Sequence, residues 1–180
     1  MNVLDAIRTR RSVRAYAKRP IPEEVMERLR AALRWAPSAC NFQPWHFVLV
    51  TDAALRRRLA AAAREQMWMA DAPVIVVGCG LAERAYKKMG GAGNSIEVDL
   101  AIALDHLTLA AVAEGLGTCW IGAFDEQAVK VLLRVPPSVK IVAMTPVGYP
   151  ASAGLNKPAP EARRKPAKEI FSTDTYTGPA

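Results

Sequence analysis

Four arginines and a serine stand within seven residues near the start of the chain, in the run Arg8-Thr9-Arg10-Arg11-Ser12-Val13-Arg14. Arginine forks donate parallel, charge-assisted hydrogen bonds that match the oxygens of a phosphate, so the run is either an anion site or a solvated basic helix end. A second basic run, Arg163-Arg164-Lys165, lies near the far end of the chain. Two such runs, far apart in sequence, can close on one phosphate. Between them the stretch from Ala36 to Phe47, APSACNFQPWHF, gathers two prolines, small polar side chains and the amide pair Asn41 and Gln43. That is more chemistry than a connecting loop needs, although a well-packed loop would also use it.

Other chemistries find no residues to carry them. Gly115-Leu116-Gly117 follows a helical pattern and enters a strand, the reverse of the strand-to-helix order of a dinucleotide loop. Neither Gly78-Cys79-Gly80 nor Gly90-Gly91-Ala92-Gly93 is followed by the Gly-Lys-Ser/Thr of a phosphate loop. No Gly-x-Ser-x-Gly elbow occurs. His46 opens a strand pattern, and His106 lies within an apolar helix pattern, where a satisfied core histidine is expected. Cys40, Cys79 and Cys119 are odd in number and far apart, with no Cys-x-x-Cys pair and no nearby histidine set, so neither a disulfide framework nor a metal site is indicated. An enzymatic activity would then rest on a bound cofactor, with no catalytic side chain of its own.

The elements that must position these runs follow from periodicity. Residues 2 to 10 predict a short helix with Leu4 and Ile7 on one face. Residues 22 to 36 predict an amphipathic helix: Pro22 suits its first turn, Glu23 and Glu24 its positive end, and Val25, Leu29, Ala32, Leu33 and Ala36 recur at helical spacing before Pro37 ends it. A strand is expected over 45–52, an Ala/Arg-rich helix over 53–69, and a second strand over 72–80 whose continuous apolar run requires burial on both faces. Residues 84–95, with glycines and mixed charge, read as a mobile loop or a loose helix.

The segment 96–115 is apolar around most of its circumference and must be covered on several sides. It is therefore a central helix, of the kind found at subunit interfaces in small proteins. A third strand is expected over 118–124, a short helix behind an Asp125 N-cap, and a fourth strand over 139–150. Residues 150–167 carry four prolines and little to bury, then Ile170, Phe171 and Tyr176 follow. That pattern suits an extended arm ending in a docking segment, laid over a second subunit.

A chain of 180 residues fits one domain, 1–180, able to bury about 70% of the surface of its unfolded form. The formal charge of +7 is scattered along helical segments and forms no basic tract interleaved with exposed aromatics, so small anions are favoured over nucleic acid. The first residues lack the apolar stretch of a signal peptide, and no apolar run approaches the about 18 residues of a membrane span. With the cysteine usage, a soluble cytoplasmic protein is expected, with no membrane partner.

Taken in order, RTRRSVRAY, WAPSACNFQPWHFVLV, APVIVV, AEGLGTCWIGAFD and RRKPAKEIF resemble the FMN-dependent nitroreductase family over nearly the whole chain. The resemblance is most specific at Arg-Arg-Ser-x-Arg and Pro-Ser-x-x-Asn-x-Gln-Pro-Trp. It implies an α+β sandwich, a mainly antiparallel sheet flanked by helices, in an obligate homodimer with the C-terminal arm (150–180) exchanged, and two FMN molecules held by residues of both chains. Carried over by position, Arg10, Arg11, Ser12 and Arg14 should contact phosphate, ribityl chain and pyrimidine edge. Pro37, Ser38, Ala39 and Asn41 should line the partner's flavin, with Gln43 bracing that loop. Trp120, Ile121, Gly122 and Ala123 should pass over the opposite face, where a backbone N–H near Gly122 or Ala123 reaches N5. Arg164, or else Arg163 or Lys165, should complete the phosphate site.

The resemblance further implies hydride transfer from NADH or NADPH to a nitroaromatic, quinone or other small electrophile by a ping-pong mechanism. In it, Arg14 would stabilise the anionic reduced flavin. The chain has Gly122 where many members carry Glu, and it lacks the long insertion that shapes the pocket of larger members, which leaves the acceptor open. Residues 86–94 are a reduced version of that pocket wall or a solvated loop. Two other readings stay open: a specialised reaction on the same scaffold, with flavin or a halogenated compound as substrate, and a basic binding protein without redox activity.

Overall fold

The computed structural model describes residues 1–179. Along the chain come α1 (Val3–Thr9), α2 (Glu23–Arg34), β1 (Trp45–Val50), α3 (Ala53–Ala62), β2 (Val74–Leu81), α4 (Ile96–Ala113), β3 (Gly117–Thr118), α5 (Glu126–Leu133) and β4 (Val139–Gly148). The strands form one antiparallel sheet in the order β1-β2-β4-β3. The fold is the expected α+β sandwich.

Strand β2 shows how the layers arise. Its side chains alternate between faces, so Val74 and Val76 join a core with Leu29 and Leu33 of α2 and Ala103, Leu104 and Leu107 of α4. Ile75, Val77 and Cys79 join another with Leu59 and Ala60 of α3 and Val129 of α5. Both faces are covered, which is why the run 74–80 is apolar at every position rather than at alternate ones. Helix α4 is central as expected, with Leu100, Ala103, Leu104 and Ala111 fully buried.

Some expected elements are shorter. Helix α3 ends at Ala62, not near residue 69, although alanine and arginine favour continuation. Asp125 N–H takes the Ala62 carbonyl (2.9 Å) and the Gln66 amide takes that of Ala63 (2.9 Å), while Arg64 and Glu65 turn to positive φ. Tertiary bonds at the helix end override propensity and drop Met69 into the core. The third strand is regular only at Gly117 and Thr118, but Ile121 bridges Met144 in the register set by Thr118 and Val147, so it runs on as an interrupted ladder. Residues 82–95 carry two short 3-10 turns, Ala82–Arg84 and Met89–Gly91, in an otherwise irregular path. The C-terminal segment does not dock on its own chain: Ile170, Phe171 and Tyr176 are 55%, 73% and 78% exposed.

Candidate functional site

Helix α1 stops at Thr9 and the arginine run continues as an extended segment. Val13 N–H donates to the Thr118 carbonyl (2.9 Å), and Ser12 and Thr118 form a parallel bridge. The run is therefore an extra strand laid against β3. Two glycines make this possible. Gly115, at φ 75°, lets the chain leave α4, and a Cβ on Gly117 would stand 2.6 Å from Val13 Cγ2. The Gly-Leu-Gly motif is a helix stop and a strand contact, not a nucleotide loop.

A buried phenol fastens the other side. Tyr16 donates to the Val13 carbonyl (2.8 Å) and lies 3.3 Å from that of Pro146, and burial pushes its pKa far up, so it stays a donor. Its ring stacks on Trp68 with centroids 6.4 Å apart, and the Arg14 guanidinium carbon lies 6.0 Å from the centroid of the same indole. Ser12 and Arg14 themselves are exposed, and Val13 is buried.

The segment after β3 shares this edge. Ile121 is buried and exchanges both backbone hydrogen bonds with Met144 (2.8 and 3.0 Å), which leaves its side chain no part in a surface site. Trp120, Gly122 and Ala123 are exposed. Among the described residues, neither Gly122 nor Ala123 donates a backbone hydrogen bond, and nothing lies within 4 Å of where a Gly122 Cβ would be. Two N–H groups are thus free to meet an acceptor in open space.

The two basic runs do converge. A cavity of about 660 Å³ is lined by Arg8, Arg10 and Arg164, with Asp105 and Glu161 as its acidic members. No carboxylate lies within ion-pair distance of these three arginines among the described residues. Arg164 rather than Arg163 or Lys165 lines the cavity, and Arg11 Nη1 donates to the Lys157 carbonyl (3.4 Å), tying the arm to the arginine strand. Like charges converging without partners favour an anionic ligand, and the volume suits a small molecule.

The loop 36–44 stands elsewhere. Cys40, Asn41 and Gln43 adopt φ of 51°, 54° and 50°, a conformation costing roughly 1–3 kcal/mol at each non-glycine residue. The cost is met by local bonds: the Ser38 hydroxyl accepts from Gln43 N–H (2.9 Å), Asn41 N–H donates to the Ser38 carbonyl (2.9 Å), and the Gln43 amide donates to Asn41 Oδ1 (3.2 Å). Gln43 braces the loop as expected. Pro37, Asn41 and Gln43 line a separate pocket of about 300 Å³ with Arg34 and Trp35. Trp45, where the loop enters β1, pairs with Gly80, whereas Thr118 beside the arginine strand pairs with Val147, itself opposite Val74. Loop and arginine strand therefore sit at opposite ends of the sheet, roughly 20 Å apart along β2.

Burial pushes the Cys79 thiol up to about 11, and it pushes Cys119 up against the opposing charge of Arg14. His106 is half-buried rather than a core residue.

The donor set fits FMN: among the described residues three guanidiniums without ion pairs, of Arg8 in α1, Arg10 just after it and Arg164 in the arm, surround one cavity suited to a phosphate, the cation Arg14 stands farther along the arginine run, and the N–H groups of Gly122 and Ala123 are unengaged. The chain matches the model of the nitroreductase family over residues 7–80 and 66–149. It belongs to that family. An NADH dehydrogenase of Thermus thermophilus is 35% identical, with 81% of this chain and 85% of that protein covered. A 5,6-dimethylbenzimidazole synthase of Rhodospirillum rubrum is 34% identical, with 89% and 87% covered. The NADPH:FMN oxidoreductase of Vibrio harveyi, solved in complex with NAD+, has a TM-score of 0.85 at 25% identity, covering all of this chain and 80% of its own.

Three supporting residues escaped the sequence reading. Tyr16 closes the run RTRRSVRAY without a role read from it, and Trp68 stands outside any motif. Asp99 is different: one acid on the apolar face of a helix, four residues after Ser95, is a readable signal, and its partners are taken up below.

Proposed function

We propose that this protein is an FMN-dependent oxidoreductase that takes hydride from NADH or NADPH and passes it to a nitroaromatic, a quinone or a similar small electrophile. The observation that carries the reading is the meeting of Arg8, Arg10 and Arg164 around one cavity beside the Ser12–Thr118 strand. When bound, FMN supplies the hydride chemistry through N5, so donor and acceptor use one place in turn. Arg10 and Arg164 hold the phosphate with Arg8, while Arg11 and Ser12, which lie outside that cavity's lining, face the ribityl chain, with Lys165 as a peripheral charge. Arg14 places its cation at the pyrimidine edge, where negative charge develops on reduction. Gly122 and Ala123 offer their N–H groups to N5, and Trp120 flanks the ring.

Pro37, Ser38, Ala39 and Asn41 serve the flavin of the other subunit. Their position at the far end of the sheet favours that assignment, because one chain does not bring loop and arginine strand together. A homodimer with exchanged arms also accounts for Ile170, Phe171 and Tyr176, and for the outer stripe of α4, where Val98 is 44% exposed and Ile102 and Leu109 are half-buried. No helix among the described residues is long and apolar enough to cross a membrane, and a cytoplasmic setting suits a nicotinamide-dependent enzyme.

The test is the purified protein. A yellow preparation absorbing at about 450 nm, bleached anaerobically by NADH or NADPH and re-oxidised by one of a panel of acceptors, is expected. A colourless protein that FMN does not stabilise would sink the reading. A second reading is a specialised reaction on the same scaffold, and the dimethylbenzo ring common to 5,6-dimethylbenzimidazole and the isoalloxazine favours flavin as its substrate. Mass spectrometry after aerobic turnover separates the two: an altered isoalloxazine product supports the second.

A further inference from the structure

Asp99 is a carboxylate 2% exposed in the first turn of α4, with no lysine, arginine or histidine in ion-pair contact among the described residues. Its two oxygens are engaged in two directions. Oδ1 accepts the Ala39 N–H (3.0 Å), and Oδ2 accepts the hydroxyl of the fully buried Ser95 (2.6 Å). Ser95 in turn accepts the Tyr86 N–H (3.2 Å), and its own N–H donates to the Tyr86 carbonyl (3.0 Å). One buried pair thus links three parts of the molecule: loop 37–43, the turn region 82–95 and the start of α4.

A buried carboxylate is kept only where donors repay its loss of water. The charge-assisted bond to Ala39 is worth more than a neutral one, and it acts at the residue just before the left-handed Cys40 and Asn41. The bonds inside the loop join Ser38, Asn41 and Gln43 to one another and fix its shape. Of the loop's side-chain hydrogen bonds among the described residues, the one from Asp99 alone reaches another element.

We infer that Asp99 is a positioning residue: with Ser95 it locks loop 37–43 to α4 and to residues 82–95, which together line a pocket through Phe42, Glu83, Arg84, Ala85 and Lys87. The inference rests on the proposed flavin role of loop 37–43, but the lock itself is a property of the chain without cofactor. Asp99→Leu removes both acceptors. Asp99→Asn keeps an acceptor for Ala39, and its amide can donate to Ser95, whose oxygen has a second lone pair.

Hydrogen exchange on the cofactor-free protein reads the lock directly. Asp99→Leu is expected to raise exchange in residues 37–43 and 84–95 by about tenfold or more, as loss of a charged hydrogen bond implies, with α2 and β4 unchanged. Asp99→Asn should stay near wild type. With FMN loaded, Asp99→Leu should raise the KM of nicotinamide and of acceptor alike by about tenfold, since both use the place over the flavin that loop 37–43 lines. Equal protection of residues 37–43 in wild type and Asp99→Leu overturns the lock. If Asp99→Leu does not fold, Ala39→Pro removes the donor and leaves the carboxylate, and unchanged exchange at 84–95 with unchanged acceptor KM overturns it. A wild-type protein that binds no FMN would instead refute the oxidoreductase reading, leaving the exchange result to stand by itself.

Discussion

Arg14 is an exposed cation whose guanidinium is steered by the face of Trp68, and this distinguishes it from the arginines lining the phosphate cavity. A phosphate ligand should hold ground-state and reduced flavin equally, whereas a cation at the pyrimidine edge favours the reduced form. Arg14→Ala is accordingly expected to weaken FMN binding by about tenfold and to lower the two-electron potential, measured by fluorescence titration and spectroelectrochemistry. Unchanged affinity and potential would remove Arg14 from the site. The arginines and Ser12 were legible because residue type and spacing alone suggest an anion. The preference for Arg164 over its neighbours came from the resemblance alone, since spacing does not say which way an exposed arm turns. Tyr16 was illegible for another reason: a lone buried polar residue acquires meaning only from donors and acceptors brought to it by distant segments, and Asp99, readable as an acid on an apolar helix face, likewise finds its partners only in the fold.

Elements were legible where apolar periodicity alone decides them, and misread where a neighbouring segment intervenes. The spacing in α2 and the continuous run of β2 leave one reading each, but the end of α3 is set by Asp125, sixty-odd residues away in sequence. The interrupted third strand has the same origin, because its edge is shared by β4 on one side and the arginine strand on the other. That shared edge makes Gly117 critical. Gly117→Val sets a branched side chain into Val13, already 2.6 Å from an ideal Cβ, and overpacking of this kind costs about 1–3 kcal/mol. Thermal denaturation should show that loss, and flavin affinity should fall with it, because the arginines ride on the displaced strand.

A second test concerns α5 and β4. Glu126 accepts from Lys140 Nζ (2.8 Å) and Ile141 N–H (3.0 Å), and Lys130 Nζ lies 3.1 Å away. Burial alone would raise its pKa, but these donors outweigh it and hold the carboxyl at about 2. A folded-state pKa below the unfolded value of about 4.3 means stability that is present above that value and lost as pH falls toward 2. Glu126→Gln should cost on the order of 1 kcal/mol at neutral pH, a figure reduced for its partial exposure, and the gap to wild type should close on acidification to pH 2. Parallel acid-unfolding curves would show that the carboxylate contributes nothing.

At the scale of the whole molecule the one-chain structure leaves large apolar side chains at the surface in two places, the outer stripe of α4 and the C-terminal arm. Isolated exposed apolar residues are ordinary, but here they accompany a basic residue, Arg164, that lines a cavity of its own chain with Arg8 and Arg10. In the proposed dimer the arm has two separable tasks, closing one flavin site and clasping the neighbouring subunit. Deletion of residues 162–180 should remove both: sedimentation velocity should show a weakened dimer, and absorbance should show lost flavin. Arg164→Ala in the full chain should lose flavin affinity with the dimer intact, whereas replacing Ile170, Phe171 and Tyr176 together by alanine should loosen the dimer first. If the flavin site is built from loop 37–43 of one subunit and the arginine strand of the other, flavin must then fall with dimer concentration in that triple variant. A monodisperse dimer with full flavin occupancy after the deletion would place both tasks elsewhere in the fold.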